Sequence, residues 1–148
     1  MSLELERAAI SKHFRDIGWN SADGMIAWPN KPFDTPNDSM FCVFNLVSRG
    51  TVRMGLGFSY FKRHLGSMQI DIYTPQDAGT KKSREIADRL EALYDTMTLL
   101  LSDGEAVMFE TPSSRVLDPN VIRAANLDNN WDRFLFDAPY YRDIHVEK

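Results

Sequence analysis

The chain has 148 residues, a length that suits one domain with a core of its own and requires neither a metal nor a disulfide to fold. Its formal net charge of −4 excludes the broad basic footprint of a general nucleic-acid binder. A composition that is 43% apolar and 26% charged is that of a soluble globular protein, and no run approaches the ~20 apolar residues of a membrane span.

Residues 2–17 read as a first helix. Leu3, Ala9, Ile10, Phe14 and Ile17 recur at mostly helical spacing, and Gly18 is a natural stop. The alternation of acids and bases there lacks the apolar stretch of a signal peptide. Residues 19–37 are rich in turns, because Pro29, Pro32 and Pro36 forbid a regular helix. A short strand over Ile26, Ala27 and Trp28 precedes a Pro-rich loop at about 29–38. Residues 40–47 are apolar on both faces, as in a central strand. Cys42 lies in this run and reads as a buried free thiol, which fits a reducing compartment. Arg49 and Gly50 fit a hairpin turn. Beyond them, Val52, Met54, Leu56, Phe58 and Tyr60 alternate with residues of the opposite face. A basic turn at Lys62, Arg63 and His64 leads to a third strand with Met68, Ile70 and Ile72 on one side, ended by Pro75.

Residues 80–101 give the clearest helix, with Ile86, Leu90, Leu93, Met97 and Leu100 on one stripe. Lys81 and Lys82 stand near its start, where the helix dipole disfavours cations. They read as a solvated first turn or as a contact with an acidic partner. Residues 106–111 and 131–136 are further strand candidates. Residues 113–120 read as loop, 121–127 as a short helical turn and 139–148 as an extended edge. The order predicts an α+β fold over residues 1–148. Its form is a mainly antiparallel sheet of four to five strands with two helices packed on one face.

No catalytic or metal-binding motif emerges. His13, His64 and His145 stand alone, without a second His or Cys at ligand spacing. Gly55-Leu56-Gly57 lacks a third glycine and a following helix. Asp71 sits mid-strand and reads as solvent-facing or paired with an arginine. No catalytic residue, cofactor or metal is therefore expected. The charge layout is more informative. Residues 39–70 carry Arg49, Arg53, Lys62 and Arg63 and no acid, whereas from Asp103 onward nine acids face five bases. One segment is positive and the other negative, which reads as ordinary surface variation or as a head-to-tail contact between copies.

The lead-in Ile26-Ala27-Trp28-Pro29-Asn30 through Phe33, the sheet, and the join Thr74-Pro75-Gln76-Asp77-Ala78-Gly79 before a long helix resemble the tail terminator family of long-tailed phages over roughly residues 1–140. The resemblance implies an α+β subunit that assembles into a hexameric ring. Such a ring caps the tail tube, ends tube polymerisation and offers a surface to the head–tail connector protein. It implies partners in further copies and in the tail tube protein, with no sequence-specific nucleic acid and no membrane. It places the protein in the virion tail, and in the host cytoplasm during assembly. The candidate contact residues are Phe33, Arg49, Arg53, Lys62, Arg63 and His64. Two other readings stand: another neck or head–tail completion protein, and a small ligand-binding or hydrolytic domain using His64 or Asp71.

Overall fold

The structure is a computed structural model that describes residues 3–20, 23–29, 31–34, 39–55, 59–75, 81–116 and 131–147. Helix α1 (Leu3–His13) carries Glu4 and Glu6 in its first turn and Lys12 and His13 in its last, which complements the helix dipole. It continues into a π-helical turn (Phe14–Gly18), where the Trp19 N–H donates to the Phe14 carbonyl five residues back at 2.8 Å. The wider turn breaks the α-helical phase. Ile10 and Phe14 are buried, while Ile17, which an α-helical phase would place with them, is 56% exposed.

Among the described residues, seven strands form one sheet. They are β1 (Met25–Ala27), β2 (Phe41–Met54), β3 (Ser59–Pro75), β4 (Thr98–Leu100), β5 (Ala106–Phe109), β6 (Ser113–Val116) and β7 (Trp131–Glu147); helix α2 (Lys81–Tyr94) lies between β3 and β4. The strand order is β1-β2-β3-β7-β5-β4, with β6 also paired to β7. The β1–β2 pair is parallel and the others are antiparallel. The α+β expectation holds, but the sheet is larger than four to five strands and it is mixed.

The strand β6 comes from a segment that the sequence presents as loop, β4 comes from the end of the expected helix, and the expected tail lengthens β7. Residues 139–147 are no edge: they continue β7, whose 17 residues pair with β3 without a register break. Arg49 and Gly50 form no hairpin turn. The register steps from Ser48↔Gly66 to Gly50↔Leu65, so Arg49 is an added residue and β2 runs on to Met54. Gly50 has φ +109°, a conformation that a side chain at this bulge would strain. The bulge also exchanges the faces. Phe44 and Leu46 lie opposite Ile70 and Met68, whereas Val52 lies opposite Arg63. Lys62, Arg63 and His64 likewise form no turn and sit within β3.

The long helix stops earlier than its apolar stripe suggests. It ends at Tyr94; Thr96 then takes φ 53°, and residues 98–100 become β4. Tertiary pairing with β5 outweighs helical periodicity there, helped by β-branched Thr96 and Thr98. Residues 56–58, 76–80, 117–130 and part of the Pro-rich loop lie outside the described residues, as does the expected turn at 121–127.

One core joins both helices to the same face of the sheet. Ile10, Phe14, Ile86, Leu90 and Tyr94 pack against Cys42, Phe44, Met68, Ile70, Ile72, Phe136 and Ala138. Full burial of each such side chain contributes about 1.5–3 kcal/mol. Gly66 is buried in this face and leaves room for the Tyr140 ring, which would lie 2.5 Å from a Cβ at this position. The opposite face carries a smaller cluster of Phe41, Tyr73, Val43 and Phe33.

Candidate assembly surface

The six candidate contact residues fall into three environments. Phe33 comes from the Pro-rich loop and packs on Phe41 at 5.3 Å between ring centroids; Phe41 in turn stacks on Tyr73 at 4.9 Å. It covers the small cluster on the sheet face away from the helices. Arg133 lies beside Tyr73, 5.8 Å from its ring, and donates to Asp71 at 2.8 Å. Asp71 is thus paired with an arginine, one of its two expected settings.

Arg49, Arg53, Lys62 and Arg63 gather at the far end of the β2–β3 hairpin. The bulge aims Arg49 across the sheet, so its Nε donates to Ser67 Oγ at 2.6 Å and its Nη2 lies 3.9 Å from Asp137. Arg53 and Lys62 are direct cross-strand partners, and both are exposed. Arg63 is held within the subunit. It makes two bonds to Asp143, at 2.9 and 3.1 Å, and lies 4.1 Å from the Tyr141 ring. The two segments of opposite charge therefore meet first inside one chain, because β3 and β7 are neighbours. Exposed Arg53 and Lys62 keep the hairpin end basic.

His64 is apart from these four. It is 4% exposed and points to the helix face. Its Nδ1 lies 3.1 Å from Glu6 Oε1, and its Nε2 lies 3.0 Å from Ser48 Oγ. In one neutral tautomer, Nδ1–H donates to the carboxylate and Nε2 accepts from the hydroxyl. The order Ser, His, carboxylate is that of hydrolytic triads. Here it fastens α1 to the bulged stretch of β2 and to β3. A small cavity of about 190 Å³ opens beside it, lined by Leu3, Arg7, Leu46 and Tyr140 among others.

Other charges are settled locally as well. Buried Asp23 accepts from Arg89 at 2.7 Å and lies 3.5 Å from Lys82 Nζ. The cation at the start of α2 thus finds its acid within the chain. Burial pushes the Cys42 thiol well above its usual pKa range, which makes it an inert core group. Among the described residues, no group of three or more His, Cys, Asp or Glu could hold a metal ion. No described helix is long and apolar enough to cross a membrane.

Two features escaped the sequence reading. The first is the Glu6–His64–Ser48 chain, whose members lie far apart in sequence. The second is the edge at β4, where Leu100 is 74% exposed. The run Leu99-Leu100-Leu101 after two threonines was its signal, since it departs from the helical stripe toward a continuous apolar strand.

A family model described as phage tail terminator protein matches residues 7–119. The chain belongs to the phage tail terminator family. The match runs from α1 through β6 and takes in the hairpin, α2 and the β4 edge. A solved structure of a protein without a descriptive name has the same fold, at 20% identity and TM-score 0.66, over 99% of both chains. That likeness includes β7, which lies beyond the family match. No curated protein matches the chain. Membership in this family makes the chain a phage tail structural protein.

Proposed function

We propose that the protein is the subunit of a ring that caps the phage tail tube, ends addition of tube protein and presents the surface to which the head is joined. The single observation that carries this reading is the tail terminator match over residues 7–119. The partners are further copies of the chain in a hexameric ring, the tail tube protein and the head–tail connector protein. Catalysis and cofactors have no part in this role, and DNA crosses the ring without being read. The mature location is the virion tail, reached by assembly in the host cytoplasm.

The basic hairpin end supports the reading. Arg53 and Lys62 lie side by side on a hairpin whose residues 49–53 are exposed, which suits a contact made with another molecule. Arg49 lies one bulge away, while Phe33 and Arg63 fix the shape of the adjoining sheet face. His64 serves by holding α1 in place.

A tail-assembly reaction depleted of its own terminator tests the function. Added protein is expected to give tails of one length. Overgrown tails in its presence contradict the proposal, and normal lengths without it would assign the chain to another neck role.

A further inference from the structure

Both outer edges of the sheet are open among the described residues. On one side, β1 covers only residues 41–43 of β2. Among the described residues, no strand pairs with the outer side of residues 44–54, a length of roughly 35 Å at about 3.3 Å per residue. On the other side, β4 pairs only with β5. Phe109 N–H donates to the Met97 carbonyl and Leu101 N–H to the Glu105 carbonyl, each at 2.8 Å. In an antiparallel ladder the intervening residues alternate, so Thr98 and Leu100 turn their N–H and C=O groups outward. Free edges of this kind are templates for pairing with another strand.

The two edges differ in ways that complement each other. The β2 edge carries exposed Val47, Val52 and Arg53, while Arg49 reaches inward across the sheet, and residues 41–54 contain no acid. The β4 edge carries Leu100, and residues 95–110 contain Asp95, Asp103, Glu105 and Glu110 but no Lys or Arg. The Glu105 N–H holds the exposed Asp103 carboxyl below the usual carboxylate range, so it stays charged.

We infer that the β2 edge of one subunit pairs with the β4 edge of the next, so that the sheets of successive copies join around the ring. The occupant is a second copy of this chain, because each edge supplies what the other lacks: cations against acids, and Val47 or Val52 against Leu100. The edges lie at opposite ends of the strand order, so the contact is head-to-tail, the type that closes into a ring when the rotation allows. This inference rests on the ring reading above and adds to it the surfaces that meet.

Cysteine pairing tests it on the full chain. Three single variants, Val47→Cys, Val52→Cys and Leu100→Cys, are mixed pairwise and oxidised, with light scattering on the same samples and circular dichroism to verify folding. Native Cys42 is buried and stays silent. A disulfide between position 100 and position 47 or 52 of different copies, absent from each variant alone, is expected. An oligomer without such a crosslink, or one linked 100 to 100, overturns the edge contact and leaves the ring reading standing. A strict monomer at high concentration counts against both. Leu100→Pro is the second variant. It removes an outward N–H only, so it is expected to keep the fold and abolish the oligomer. An unchanged oligomer in a folded Leu100→Pro protein also overturns the contact.

Discussion

Glu6 and His64 show how much of this subunit depends on single buried polar residues. Both are almost fully buried, and each satisfies the other, with Ser48 completing the imidazole's bonding. Glu6→Ala would leave the imidazole N–H buried without an acceptor. It is expected to cost about 1–3 kcal/mol in chemical denaturation. Glu6→Gln, which keeps a carbonyl acceptor, is expected to cost less; equal losses for the two would show that packing alone matters there. His13 offers a pH test. Burial lowers its pKa from the ordinary 6.5, and its Nδ1 lies 2.9 Å from the Tyr94 hydroxyl. A base with a lowered folded pKa takes up protons more readily when unfolded. Its stabilising contribution is present above pH 6.5 and is lost as pH falls through the lowered value. Denaturation midpoints are expected to fall over that window in the native chain and to change less in His13→Gln.

At the scale of elements, the decisive feature is the pairing of β2, β3 and β7. Gly66→Ala would drive a methyl into the Tyr140 ring and is expected to destabilise the fold by about 1–3 kcal/mol, seen as a lowered thermal midpoint. Arg63 and Asp143 are each about one-third exposed, so a double-mutant cycle is expected to give a coupling of only about 0.2–1 kcal/mol. The cores of β2 and β3 were legible in sequence, because Met68, Ile70 and Ile72 alternate cleanly with polar neighbours. So was the buried stripe of α2 through Leu90. The bulge was not. Arg49-Gly50 has the composition of a turn, and only the register against β3 shows that the chain runs straight on. Residues 139–147 include Pro139, Arg142 and Asp143 and look like a tail. Their place at the centre of the sheet depends on long-range pairing with β3, and Arg142 is buried there in spite of its charge.

For the whole molecule, the opposed charges along the chain have two uses. Part of the contrast is consumed between β3 and β7, where Arg63 meets Asp143. Arg49 likewise reaches toward Asp137, and what remains includes Arg53 on β2 and the acids flanking β4. The family was legible in the Trp-Pro-Asn lead-in and the Thr-Pro join, but the candidate contacts were only partly so. His64 reads as a surface residue beside Lys62 and Arg63, and the alternation of β3 turns it inward instead. Its burial follows from Glu6, a partner 58 residues away. The proposed ring of copies of this chain would sit at the end of a tail tube. Negative-stain electron microscopy of tubes incubated with the protein tests it most directly. A ring of subunits at one tube end, with no further growth there, is the expected result. Tubes that keep elongating with bare ends, beside protein that stays monomeric, would contradict it.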